Sequence, residues 1–400
     1  MALPDELLEE VFIRLPTAAD LARASAACVS FRRVIAGHVF LRRFRVLHPP
    51  PLLGILCWDL TPAQPPHPSA AAAATLAGAD FSCSFLPPSR DRWCLRDVRD
   101  GRALFSPALE GTARFPDYHY NPSDLVTEFA VCDPLHRRYL LLPSVPDHLA
   151  CQAHPPDILK CEPFHAPPGD HEKPSFRDFR VMCLVWCKTK LLLLVFSSCA
   201  GQWLADPITF EMFRCAAPPC EISLKVKSMS AAHRYYAHGC FCWQVYNANK
   251  LLVLDARRME FSAVNLPSPP GRYGQQMAIV EAGEGRLGML TICDKIQSDA
   301  YHLFYAVQSR DGNGANQWQS KSLIALPENY GYCIMGVAGG CLLLCGYPED
   351  NRPSAEYPGV AYLSLNLQTF QVEWFCQTDD YVLIGDLYAD LPPSFSPPTL

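Results

Sequence analysis

A chain of 400 residues, 49% hydrophobic and only 18% charged, can bury a large core and predicts two or three domains or one large β-assembly with an appendage. Its net charge of -6 supplies no general attraction to nucleic acid or to an anionic membrane, so neither is an expected partner. The longest apolar run, LLLLVF at 191–196, is far short of the roughly 20 residues that span a bilayer, and the acidic start MALPDELLEE predicts no secretory signal. The 19 cysteines lie in runs such as MCLVWC and CLLLC, with no C-x-x-C pair. That pattern predicts reduced, buried thiols in the cytosol or nucleus, with no disulfide framework and no metal site.

In LPDELLEEVFIRLP (3–16), Leu7, Leu8, Val11, Phe12 and Leu15 recur at helical spacing while Glu6, Glu9, Glu10 and Arg14 occupy the other face. Pro4 suits a first turn, Asp5 and Glu6 complement the positive end of the helix, and Pro16 stops it. Thr17 with Asp20 predicts a second N-terminus, followed by a stripe of Leu21, Ala24, Cys28, Phe31 and Ile35. A third short helix is expected over 38–46. Residues 1–48 therefore read as a three-helix domain, with five acidic and seven basic side chains. At this size a single core is marginal, so part of the apolar surface is expected to meet a partner or the following domain.

Residues 3–41, LPDELLEEVFIRLPTAADLARASAACVSFRRVIAGHVFL, resemble an F-box: the LPDELL opening, the LP before the second helix, the D-L pair, A-x-x-C and the downstream F-L. The stretch departs at Phe31, where many F-boxes have Trp, and at Val29 and Ser30, where a basic pair is common. The resemblance implies docking onto the Skp-type adaptor of a cullin-RING ubiquitin ligase. By that analogy Leu3, Pro4, Leu7, Leu8, Val11, Leu15, Leu21, Ser25, Cys28 and Phe31 are the expected adaptor contacts.

Past residue 48 helical periodicity gives way to short apolar runs bounded by Gly, Pro, Asp and Asn, the pattern of antiparallel sheet. A Pro/Ala-rich segment at 61–79 reads as a surface loop or linker, within the β-domain because LLGILCW (52–58) before it is already strand-like. Five segments share an order of apolar strand, Asp or Asn, polar turn and apolar strand: 95–105, 131–143, 204–218, 253–267 and 364–375. Each predicts a hairpin closed by an Asx-type turn, and their intervals suit propeller blades. Residues 49–400 are accordingly expected to form a large antiparallel β-propeller, six-bladed and kelch-like, with a β-sandwich as the alternative. This resembles the F-box-associated propeller regions of plant F-box proteins, grasses especially.

GEGRLG at 283–288 satisfies G-x-G-x-x-G, but strand-like AIVEA and MLTIC flank it, so it predicts a hairpin turn and no phosphate cradle. DGNG at 311–314 reads as another turn. No G-x-S-x-G, H-E-x-x-H or P-loop occurs, so neither a catalytic residue nor a cofactor is expected. Asp133, His136, Arg137 and Arg138 read as turn chemistry. Taken together, these features predict a non-catalytic receptor that binds the Skp-type adaptor, and through it cullin, by its helices and an unknown target protein by its β-domain. The alternative is a propeller acting as a carbohydrate-binding lectin or an oxidase.

Overall fold

The computed structural model describes residues 3–16, 18–48, 50–57, 59–87, 93–107, 125–154, 157–167, 178–211, 234–245, 250–267, 276–293, 300–310, 316–328, 330–348, 359–378 and 385–389. Four helices open the chain: α1 (Asp5–Phe12), α2 (Ala18–Ala27), α3 (Val29–Ile35) and α4 (His38–Leu47). The expected three-helix module is thus corrected to four. Cys28 takes an extended backbone (φ -159°, ψ 163°) and its Sγ accepts a hydrogen bond from the Phe31 amide at 3.4 Å, capping α3 and dividing the predicted second helix. A thiol is a weak acceptor outside the usual capping set, so the sequence carries no mark of this break. Leu8, Phe12, Ile13, Leu21, Val34, Ile35, Phe40 and Phe44 pack together, giving the module a core of its own.

The remaining strands form six antiparallel sheets arranged as blades, which excludes the sandwich. In chain order come β1 (Leu52–Leu56), β2 (Leu60–Pro62) and the short helix α5 (Ala70–Ala74). The first complete blade is β3 (Trp93–Arg99), β4 (Arg102–Pro107), β5 (Ala130–Asp133) and β6 (Arg138–Leu141). The second is β7 (Ile158–Ala166), β8 (Arg180–Cys187), β9 (Lys190–Ser197), β10 (Gln202–Trp203) and β11 (Ile208–Glu211). The third is β12 (Arg234–Ala237), β13 (Cys240–Val245), β14 (Lys250–Asp255) and β15 (Glu260–Asn265). The fourth is β16 (Met277–Ala282), β17 (Arg286–Cys293), β18 (His302–Arg310) and β19 (Asn316–Ala325). The fifth is β20 (Tyr330–Ala338), β21 (Cys341–Pro348), β22 (Val360–Asn366) and β23 (Val372–Thr378). The sixth joins both parts of the domain, because β24 (Asp386–Ala389) pairs with β1 and β1 with β2. Contacts between β24 and β3, β3 and β7, β12 and β16, β16 and β20, and β20 and β24 set these strands around the axis.

The cores lie between blades, which explains the unbroken apolar runs. In LLLLVF, Leu192, Leu194 and Phe196 face the first blade, whereas Leu191, Leu193 and Val195 face the third. Both faces of β9 are covered, so the usual alternation with polar residues is absent. The Pro/Ala-rich segment is also drawn into the fold: Ala73 and Leu76 are buried, and buried His67 bonds Ser364 Oγ through Nε2 at 3.0 Å. It is therefore a surface segment, much of it exposed, that is anchored to the fold by its few buried residues.

Three of the five hairpins close as predicted. Asp133 Oδ1 accepts from the His136 amide, Asp255 Oδ1 from the Arg257 and Arg258 amides, and Asn366 Oδ1 from the Gln368 and Thr369 amides. Four residues after each Asx, Arg137, Met259 and Phe370 take positive φ and turn the chain into the outer strand. The 204–218 segment is corrected: β10 and β11 both pair with β9, so Asp206-Pro207 interrupts one outer strand, as expected where proline lacks the ladder N–H. In 95–105 the hairpin turns at Asp100-Gly101, both at positive φ, while Asp97 stays inside β3 and is buried. The GEGRLG turn joins β16 to β17 directly, as the sequence predicts. The predicted DGNG turn lies outside the described residues.

Candidate functional site

On α1 the apolar residues divide between two faces. Leu8 and Phe12 point into the module core, whereas Leu3, Leu7 and Val11, four residues apart, are 59%, 52% and 57% exposed. Of the other expected contacts, Pro4 and Cys28 are exposed, Leu15, Ser25 and Phe31 half-buried, and Leu21 buried. Leu8 and Leu21 therefore hold the module together rather than present a surface. Phe31 meets Phe12 edge to face at 5.0 Å, linking α3 to α1. Val29, 81% exposed at the start of α3, adds to the apolar surface.

Polar contacts on the same helices orient them. Arg33 donates to both oxygens of Asp5 at 2.8 Å, clasping α3 to α1, and Arg43 lies 3.6 Å from Glu9 and 3.4 Å from Glu10, clasping α4. These pairs are exposed and each is worth about 0–1 kcal/mol, so they fix geometry more than stability. His48 Nε2 bonds the Ile13 carbonyl at 2.8 Å. What is left uncovered is the apolar stripe of Leu7 and Val11 on α1 with Leu3 just before it.

Inside the propeller, buried charges gather where three axial strands converge. Arg234 of β12 donates to Glu162 Oε1 of β7 at 2.9 Å and to Asp97 Oδ1 of β3, and its guanidinium lies 4.4 Å from the centre of the Phe164 ring. Glu162 also accepts from Lys160 at 3.1 Å and from Trp243 Nε1 at 3.1 Å, while Asp97 Oδ2 accepts from the His165 amide at 2.6 Å. Burial opposes ionisation of Glu162, but Lys160 and Arg234 prevail and hold its carboxyl down to about 2. Burial raises the Asp97 carboxyl against the pull of Arg234. Burial, aided by Arg102, Arg99 and Arg234, lowers the His165 imidazole well below its ordinary range, so that ring is neutral.

Beside this cluster, Arg99, Arg102, His165 and Phe179 line a cavity of about 20 Å³. That is room for one water and far less than the several hundred Å³ of a small-molecule site. The carboxylates of the cluster are already satisfied by protein donors and join the blades, whereas the buried His165 Nε2 beside the cavity has no hydrogen-bond partner. Among the described residues no group of three or more His, Cys, Asp or Glu is placed to hold a metal ion. No helix of the described residues is long and apolar enough to cross a membrane. Glu162 and Arg234 escaped the sequence reading; their signal was a charge inside strand-like CEPFH and RYYA, which periodicity alone does not distinguish from an exposed position.

Residues 1–47 match the family model described as F-box-like. No curated protein matches the chain. Among solved structures, a post-proline cleaving enzyme from Rickettsia typhi is similar at 8% identity and a TM-score of 0.31, over 71% of this chain and 36% of that one. This chain thus spans about a third of that enzyme's length. Penicillium chrysogenum alpha-L-arabinanase, complexed with arabinobiose, is similar at 9% identity and a TM-score of 0.34, over 77% and 85% of the two chains. Regucalcin, a calcium-binding protein from Agrobacterium tumefaciens, is similar at 10% identity and a TM-score of 0.22, over 72% and 90%. Likenesses this distant have no bearing on activity or ligand. The molecule joins a short F-box-like helical module to a six-bladed antiparallel β-propeller.

Proposed function

We propose that the protein is a non-catalytic substrate receptor of a Skp–cullin–F-box ubiquitin ligase, its helices docking the Skp-type adaptor and its propeller holding a target protein. The observation that carries this reading is the exposed Leu3, Leu7 and Val11 stripe on a module that matches the F-box-like family and packs its own core. An apolar stripe on a rigid helix suits recognition by a partner's apolar groove. Its mechanism is proximity: tethering raises the effective concentration of target lysines near a ubiquitin-charged enzyme on another subunit. The division of labour would fall between α4, ending at Leu47, and β1, starting at Leu52. Resemblance to plant F-box proteins with kelch-like propellers supports the same reading, and such a ligase subunit would work in the cytosol or nucleus.

Co-purification with a Skp-type adaptor tests the docking step. The intact chain should retain the adaptor, and Leu7→Asp with Val11→Asp should release it while thermal unfolding stays unchanged, because both side chains are exposed. Retention of the adaptor by that folded variant would sink the proposal. For the target, proximity labelling by the wild type and by the same variant, with and without proteasome inhibition, should show proteins whose labelling rises on inhibition with the wild type but not with the variant.

A further inference from the structure

Blade five carries a row of residues in register across all four strands: Cys333 on β20 opposes Cys345 on β21, Cys345 opposes Tyr362 on β22, and Tyr362 opposes Cys376 on β23. Directly opposed residues of antiparallel strands share a sheet face, so the four side chains form one line. Cys345, Tyr362 and Cys376 are fully buried, whereas Cys333, at the axial end of the row, is only partly buried. Opposed Cα atoms sit about 4.5–5.5 Å apart, within the range of about 4.4–6.8 Å that a disulfide spans. The register thus places the two cysteines within the span of a disulfide.

The molecule contains its own controls. Cys161 and Cys183 lie 3.1 Å apart, Sγ to Sγ, and both are buried. Cys83 and Cys132 also meet, both buried. Both pairs are more deeply enclosed than Cys333. We propose that Cys333 and Cys345 are a peroxide-reactive pair, in which Cys333 takes the first oxidation and Cys345 resolves it into a disulfide joining β20 to β21. Proton placement supports the assignment of roles. The Cys345 thiol donates to Cys333 and holds that sulfur below the usual thiol range, while the same donation and burial push Cys345 up. The more readily ionised sulfur of the two is therefore the less buried one, which is where reaction requires it.

The chemistry balances with hydrogen peroxide as oxidant. The Cys333 thiolate attacks one peroxide oxygen, the O–O bond breaks, and hydroxide leaves a sulfenic acid. The Cys345 sulfur then attacks that sulfur; an S–S bond forms, the S–O bond breaks, and water departs with the Cys345 proton. Two electrons pass from the sulfur pair to one peroxide, and a dithiol reductant reverses the change.

The test treats the full-length protein with a small excess of hydrogen peroxide, alkylates the remaining thiols under native and then unfolding conditions, and maps the peptides. A Cys333–Cys345 linked peptide should form first, with Cys333 losing its reactivity at least about tenfold faster than Cys183. In Cys345→Ser, Cys333 should instead accumulate as a sulfenic acid trapped by dimedone. Oxidation that begins at Cys161, Cys183, Cys83 or Cys132, or a Cys333 that oxidises while Cys345 stays free in the wild type, would overturn the proposal. The wild-type map decides between these outcomes even if the serine variant folds poorly.

Discussion

Arg234 is one side chain held by three blades, since its own strand belongs to the third and its partners Asp97 and Glu162 to the first and second. Replacing it with Met should destabilise the protein by about 3–5 kcal/mol, read by urea denaturation, because two buried carboxylates lose the guanidinium they share, although Lys160 stays beside Glu162. The partners carry opposite pH signatures. Glu162, held at about 2 against an ordinary 4.5, contributes stability that is present above the ordinary value and lost as pH falls toward 2. Asp97, raised, contributes in the opposite sense: its term is fully present below the ordinary value and lost as pH rises through the folded one. Between pH 5 and 2 the wild type should therefore lose ground to Glu162→Gln and gain it on Asp97→Asn; equal shifts in both would contradict the assignment. His165, lowered by burial, adds stability above its ordinary value of 6.5 that is lost as the ring is protonated. Little of this was legible in sequence. Asp97 was visible only as a turn residue, because the neighbouring Asp-Gly makes the real turn and the partners of Asp97 lie 65 and 137 residues further along the chain.

Among the elements, the hairpins with Asx turns were the most legible, because all the chemistry that closes them is local. Asp133 is fully buried and bonds His136 through both its amide and Nδ1, the latter at 2.7 Å. Asp133→Ala should cost about 1–3 kcal/mol in thermal or urea unfolding. Arg137, exposed and at positive φ, should by contrast tolerate Gly at little cost or with a gain of up to about 1 kcal/mol, because the left-handed strain is relieved. Spacing of blades was misjudged for a related reason. Asp97 and Asp133 belong to one blade, so the 36-residue interval between them was no repeat; Asp133 to Asp255 and Asp255 to Asn366 each span two blades. At α1 the periodicity identified the helix but not which apolar residues face out. Leu7 and Leu8 are neighbours in sequence and on opposite sides of the module's surface. Leu8→Asp should unfold the helical module, seen as loss of helical signal, where Leu7→Asp should leave it intact.

For the whole molecule, closure of the ring is the step that adjacent residues cannot encode. The axial strand of the sixth blade, β24, comes from the far end of the described chain and pairs with β1 through Leu52, Gly54, Ile55 and Leu56. Tyr388 of β24 is fully buried, and its hydroxyl donates to the Gly101 carbonyl at 3.0 Å, tying the closing blade to the first hairpin of its neighbour. On the opposite side the turn after β20 leans on the same seam: Gly339 has φ of 58°, and a Cβ there would stand 2.6 Å from the Leu52 amide nitrogen and 2.7 Å from the Pro50 carbonyl oxygen. Gly339→Ala thus combines left-handed strain of about 1–2 kcal/mol with a collision against backbone that cannot rotate away. Its damage should be localised where β1 and β24 close the ring. Hydrogen exchange should quicken first in β1 and β24, with the third and fourth blades still protected; a uniform loss of protection would show that the seam is not the weak joint of the ring.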